Sequence, residues 1–87
     1  MNKSELKTGM LVEKRNGVTM FIMLDSVISY NKKNESNDIL VGKESWDILD
    51  NYDENLKHLE YEDYDIMGVY VHDYGLLWTV QGAKRVG

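Results

Sequence analysis

Residues 10–24, MLVEKRNGVTMFIML, decide the fold. An Asn-Gly pair at 16–17 stands between two runs rich in apolar and β-branched residues, which is the strongest short-range indication of a β-hairpin. Both residues of such a pair adopt positive φ at little cost. The second run is apolar on both faces except at Thr19, as is typical of a covered central strand or a small closed barrel. We therefore predict strands at 10–14 and 18–24, the second of them at the heart of the core.

The rest of the chain predicts further short strands around this hairpin. Residues 31–38 are eight consecutive polar residues and indicate an exposed loop. Gly68, inside a long β-rich run, indicates a bulge or a close crossing. The remaining predicted elements are strands at 27–30, 39–42, 64–72 and 76–80, a strand or helical turn at 45–50, one short helical turn between Asn51 and Leu59, and a flexible tail at 81–87.

Five to six short strands with closely spaced turns predict a mostly β fold, either a small SH3-like barrel or a bent antiparallel sheet. The 87 residues, 43% of them hydrophobic, suffice for one modest core, so we expect a single domain over 1–87. The chain has no proline, so its sheet edges need protection by charge, closure or a partner, and a homodimer is one such arrangement.

The cellular compartment is inferred from the absence of cysteines and of targeting segments in the sequence. There is no cysteine, which excludes disulfides and thiolate zinc sites and suits a reducing compartment. The N-terminus carries no apolar run of signal-peptide length, and the longest apolar stretch, 20–24, is far short of the roughly 20 residues that span a bilayer. We expect a cytoplasmic protein that does not contact membranes.

The charge of the chain is concentrated in one segment. The formal charge is −5, which argues against direct binding to a nucleic-acid backbone. Residues 47–65, which we call the acidic segment, hold eight of the fifteen acidic residues and one lysine, Lys57. The segment therefore sums to −7 and the other 68 residues to +2.

Aromatic residues interleave with these acids, and this composition is typical of binding hot spots, where rings supply buried area and carboxylates supply steering. Such a surface complements a basic one on another protein. The residues that we expect to contact a partner are Trp46, Asp50, Tyr52, Asp53, Glu54, Tyr61, Glu62 and Asp63.

Two other interpretations of the acidic segment stay open. A solvated loop that keeps the sheet edge soluble is the common meaning of a charge run. A calcium site would use the oxygen ligands Asp47, Asp50, Asp53 and Glu54, but the order of ligands and the central glycine of an EF-hand are absent.

Motifs for catalysis are missing from the sequence. No nucleophile elbow and no phosphate-binding glycine loop occurs. We expect the two histidines, His58 and His72, to be surface residues rather than metal ligands. We predict a protein that is not an enzyme and that needs no metal or cofactor. The aromatic residues of the last third either pack in the core or stack a nucleotide: Tyr61, Tyr64, Tyr70, Tyr74 and Trp78.

Residues 4–17, SELKTGMLVEKRNG, together with 52–56 and 64–70, resemble short uncharacterised proteins encoded by phages and prophages of Gram-positive bacteria. The resemblance covers about a third of the chain and includes no catalytic motif. It implies a small acidic module that binds a host protein, as an inhibitor or a host-defence antagonist. The alternatives are an oligomer that sequesters a nucleotide and a virion assembly protein.

Overall fold

The chain forms one antiparallel β-sheet across the residues that the structure, a computed structural model, describes: 1–25, 37–72 and 78–87. The predicted strand at 27–30 and most of the loop at 31–38 lie outside these residues. The described strands are β1 Leu11–Lys14, β2 Thr19–Met23, β3 Ile39–Val41, β4 Trp46–Ile48, β5 Ile66–Val71 and β6 Lys84–Arg85, in the spatial order β4-β3-β2-β1-β5-β6. The fold is mostly β, as predicted, and the sheet is open, because β4 and β6 form its two edges.

The sheet is strongly bent. Lys14 at the end of β1 reaches Asp47 on β4, with 3.4 Å between Nζ and Oδ2, although β2 and β3 lie between the two strands. Three strand spacings in a flat sheet amount to about 14 Å, more than the two side chains span together. Of the two predicted forms, the bent antiparallel sheet is therefore correct and the closed barrel is not.

The β1–β2 hairpin forms where the Asn-Gly pair predicted it, with a different turn. The N–H of Gly17 donates to the carbonyl of Lys14, and the N–H of Lys14 donates to the carbonyl of Val18. Gly17 has a φ of 87°, whereas Asn16 does not adopt positive φ. The loop is thus a turn of three residues that ends in a left-handed glycine, rather than a two-residue turn with positive φ at both positions.

The two faces of β2 are both covered, as its apolar sequence predicted. On one face Met20 and Ile22 join the main core, whose other buried members are Leu6, Val12, Leu40, Leu49, Tyr52, Leu56, Ile66 and Val69. On the other face Phe21 is buried, and the ring of Trp78 packs edge-on against it with 4.7 Å between centroids. β2 is therefore a central strand.

Gly68 lies at the irregularity that the sequence predicted. Glu13 pairs with Gly68 and Lys14 with Ile66, so one residue of β5 bulges between them. A Cβ on Gly68 would come within 2.9 Å of the ring of Tyr70. A larger residue at this position would displace the ring of Tyr70, which lies over the backbone.

The C-terminal part of the chain departs from the predicted strands. Residues 81–87, expected to form a flexible tail, contain β6, whose two residues pair with Tyr70 and Val71 at the edge of the sheet. The strand predicted at 76–80 is not found in its described part, 78–80.

Short 3-10 turns flank the region where one helical turn was expected. They span Leu49–Asn51 and Glu62–Tyr64, and a third opens the chain at Lys3–Glu5. Between Asn51 and Leu59 there is a single hydrogen-bonded turn, in which the N–H of Leu56 donates to the carbonyl of Asp53. Residues 45–50 combine the two predicted alternatives, since β4 runs directly into a 3-10 turn. In the described residues no helix has the length and apolar character needed to cross a membrane.

Candidate functional site

A groove of about 480 Å³, which we call the aromatic groove, lies between the β1–β2 hairpin, the start of β4 and residues 58–64. Its rings are those of Trp46, His58, Tyr61 and Tyr64, and its charged side chains are Lys14, Asp47 and Glu60. The groove forms because the bend of the sheet brings the hairpin close to β4 and residues 58–64 lie beside them.

Asp47 fixes the floor of the groove. Its Oδ2 accepts a hydrogen bond from the Tyr52 hydroxyl at 2.8 Å and pairs with the Lys14 ammonium at 3.4 Å. Its Oδ1 accepts from the N–H of Ile48 and from the Nδ2 of Asn51, both at 2.8 Å. Four donors around one half-buried carboxylate leave it little freedom to move or to take a further ligand.

The protonation states of the floor follow from these contacts. Burial alone raises the pKa of the Asp47 carboxyl, but the hydrogen bonds from Tyr52, Asn51 and Ile48 and the charge of Lys14 outweigh it and hold the pKa below its ordinary value. Burial, and then the hydrogen bond to Asp47, raise the pKa of Tyr52. Asp47 is therefore a carboxylate at neutral pH, and Tyr52 is a neutral donor to it.

Lys14 is a buried cation, with only 6% of its side chain exposed. Besides Asp47, its ammonium lies 5.6 Å from the centroid of the Tyr52 ring and 5.2 Å from that of Tyr64. One carboxylate and two aromatic rings thus compensate for its lost hydration.

One wall of the groove is a cluster of rings centred on His58. Its ring centroid lies 5.0 Å from that of Tyr52, 5.6 Å from that of Tyr61 and 5.2 Å from that of Tyr64. The Tyr61 and Tyr64 rings also contact each other edge-on at 5.5 Å. The wall is preorganised because each ring restricts the rotamers of its neighbours.

Backbone contacts of His58 hold the same wall. Its Nδ1 accepts hydrogen bonds from the N–H groups of Glu60, at 3.1 Å, and Tyr61, at 3.0 Å, so the ring proton is on Nε2. Its own N–H donates to the Oδ1 of the buried Asp65. His58 is therefore a structural residue of the groove and not the isolated surface histidine that the sequence suggested.

The hairpin supplies cations to the acidic segment. Arg15 pairs through Nη2 with Asp65 at 3.5 Å, and its Nε donates to the carbonyl of Glu62. Lys14 pairs with Asp47. The sequence indicated that Lys57 was the one cation facing the segment. The structure corrects this expectation, because Lys14 and Arg15 also pair with its carboxylates although they lie more than thirty positions away in the chain.

Of the eight residues expected to contact a partner, two line the aromatic groove: Trp46, 41% exposed, and Tyr61, 57% exposed. Asp50, Glu62 and Asp63 are exposed beside it without lining it.

Three of the expected contact residues lie elsewhere. Tyr52 is corrected to a core residue, 1% exposed, because its ring fills the main core while its hydroxyl bonds Asp47. Asp53 holds a turn, since its Oδ1 accepts from the N–H groups of Asn55 and Lys57. Glu54 lies in that turn, next to the N-terminal segment, where its carbonyl accepts from the N–H of Lys3.

The calcium interpretation finds no support in the geometry. The oxygens of Asp47 and the Oδ1 of Asp53 already accept hydrogen bonds within the chain. In the parts of the chain that the structure describes, no three side chains of the metal-binding types group together.

The aromatic residues of the last third separate onto different parts of the sheet. Tyr61 and Tyr64 line the groove, Tyr70 lies over Gly68, and Trp78 packs against Phe21. Tyr74 lies outside the described residues. Two of these rings, Tyr61 and Tyr64, therefore share one groove, whereas Tyr70 and Trp78 lie on other parts of the sheet.

The sequence-based site missed Lys14, Asp47, His58, Glu60 and Tyr64. One indication was present for Lys14, because strand alternation places it on the same face as the buried Val12.

Comparison of the chain with protein families, curated proteins and solved structures gave no match.

Proposed function

We propose that the protein is a non-enzymatic binding module that uses the aromatic groove and its acidic rim to occupy a basic surface of another protein. The acidic rim consists of Glu60, which lines the groove, and the neighbouring exposed residues Asp50, Glu62 and Asp63. The observation that carries the proposal is the combination of exposed rings and exposed carboxylates over a floor that internal hydrogen bonds hold in place.

The rings would provide most of the affinity. Trp46, Tyr61 and Tyr64 are 41%, 57% and 39% exposed, so a partner can bury more of each ring. Aromatic side chains of this kind dominate binding hot spots because they supply a large area at a low cost in side-chain entropy. The ring wall around His58 lowers that cost further, since its rotamers are already restricted.

The rim would provide steering and selectivity. Surface carboxylates raise the association rate with a cationic partner and penalise an anionic one, and salt weakens both effects. Among the groove-lining residues Lys14 is the one cation, and it already pairs with Asp47, so a phosphate would find no available positive charge there. This disfavours the nucleotide-binding alternative.

The resemblance of residues 4–17, 52–56 and 64–70 to phage proteins makes a bacterial host protein the partner that we propose. Inhibition of that protein would follow if the groove covered a basic surface with which the host protein binds nucleic acid or another acidic ligand.

Capture from a Gram-positive bacterial lysate at low and high salt tests the proposal. The rim variant is Glu60→Gln with Glu62→Gln and Asp63→Asn. Its matched control, Glu13→Gln with Glu44→Gln and Glu54→Gln, removes the same charge from side chains outside the groove lining. We expect a basic protein that binds the wild type and the control at low salt and is lost from the rim variant. Equal capture by both variants would contradict the role of the rim.

A further inference from the structure

We infer that the aromatic groove receives an arginine side chain of its partner in preference to a lysine. This inference rests on the proposed function and specifies the chemistry of the partner.

The first argument is the shape of the available surface. Three rings of the groove remain partly exposed and offer faces and edges to an incoming group: Trp46, Tyr61 and Tyr64. A guanidinium is planar and weakly hydrated and stacks on such rings, whereas an ammonium is compact and keeps its water. The exposed rings thus favour arginine for the same reason that arginine is enriched at protein interfaces.

The second argument is that the floor already holds an ammonium. Lys14 lies next to the Tyr52 and Tyr64 rings and pairs with Asp47, whose two oxygens accept from four donors in total. A partner lysine that reached the same depth would meet a like charge and no available carboxylate. The incoming cation must therefore take its counter-charge from a carboxylate other than Asp47.

The third argument concerns the other acceptors that line the groove. Glu60 is exposed and lines the groove, and no ion pair of its carboxylate occurs within the described residues. Uncharged polar side chains line the groove as well: Asn16, Ser45 and Asn51. A guanidinium has five donors in a fixed fork and can bond a carboxylate in bidentate fashion while it lies against a ring. An ammonium can pair with a carboxylate and lie near a ring, as Lys14 does, but it has no planar face to stack and no fork for bidentate bonding.

Titration of the isotope-labelled full chain, followed by NMR, tests the inference. The probes are three blocked tripeptides, Gly-Arg-Gly, Gly-Lys-Gly and the uncharged isostere Gly-citrulline-Gly. We expect shifts at Trp46, Glu60 and Tyr61, and a dissociation constant for the arginine peptide about threefold or more below that for the lysine peptide. The citrulline peptide should bind more weakly than both.

Two variants show whether the preference comes from the groove. Tyr61→Leu should abolish the difference between arginine and lysine, whereas Leu59→Ala, an exposed apolar residue of the same segment outside the groove lining, should preserve it. Unchanged dispersion of the remaining signals shows that each variant is folded.

The outcomes separate the inference from the proposed function. Equal affinity for the arginine and lysine peptides overturns the arginine preference and leaves a groove for basic partners. Shifts outside the groove, or no binding of either cationic peptide, overturn the arginine inference, while the capture experiment on the rim variant judges the proposed function independently.

Discussion

The carboxylates of the acidic segment form two groups that differ in burial and in contacts. The internal group, Asp47, Asp53 and Asp65, accepts hydrogen bonds from the chain itself and holds the groove floor, a turn and the ring wall. The exposed group includes Glu60, Glu62 and Asp63. The charge run is therefore partly structural and partly available to a partner, and substitutions in the two groups should have separable effects.

Asp47→Asn should have the largest effect on stability. It leaves the buried Lys14 ammonium without its counter-charge and weakens the acceptor of Tyr52 and Asn51. Breaking a partly buried ion pair in this way should lower the free energy of unfolding by about 2–4 kcal/mol. Urea denaturation at pH 7 measures it.

Glu62→Gln is the matched control from the exposed group. Its side chain is exposed, so we expect a change within about 0.5 kcal/mol. A similar loss in both variants would remove the distinction between the two groups of carboxylates.

A smaller loss of stability is expected at His58, where two substitutions distinguish the contribution of the ring contacts from that of the hydrogen bonds to Nδ1. His58→Ala removes the Nδ1 that accepts from Glu60 and Tyr61, together with the ring contacts to Tyr52 and Tyr64, and should cost about 1–3 kcal/mol. His58→Asn offers an amide oxygen close to the position of Nδ1 and should recover part of the loss.

Thermal denaturation of both His58 variants measures the difference. If the asparagine variant is no more stable than the alanine variant, the backbone hydrogen bonds contribute nothing and the ring alone holds the wall.

The smallest effect on the free energy of unfolding is expected when the pH is lowered. The pKa of Asp47 is lower in the folded protein than its ordinary value of 3.8, so its contribution to stability is present above that value and is lost as the pH falls through the folded-state pKa. The stability difference between the wild type and Asp47→Asn should therefore be constant from pH 7 to about 5 and shrink from there towards pH 2. A difference that is independent of pH would show that the Asp47 carboxylate is not the titrating group.

Local patterns were sufficient for the central hairpin and insufficient for the groove. The Asn-Gly pair and the apolar run of β2 are consecutive residues, so the sequence predicts them directly. The two residues of β6 carry no such pattern, and only the partner strand β5 makes them a strand.

The groove depends on how far the sheet bends, which no local pattern records. Trp46 and Tyr61 could be predicted because exposed rings among charges are unusual in themselves. Tyr52 belongs to the same composition but fills the core, and Lys14 enters the groove from the hairpin. Which ring of an acidic segment turns inward is decided by tertiary packing and not by its neighbours in sequence.

The hydrogen bond between Asp47 and Ile48 has a consequence for aggregation. The N–H of Leu49 donates to the carbonyl of Asp38 and that of Gly42 to the carbonyl of Ser45, so strand alternation points the N–H of Ile48 away from β3, towards the side of β4 that pairs with no described strand. The Asp47 carboxylate occupies this donor at 2.8 Å. A strand from another molecule that approached β4 would find this donor already taken, which discourages fibril-like stacking at an edge without proline.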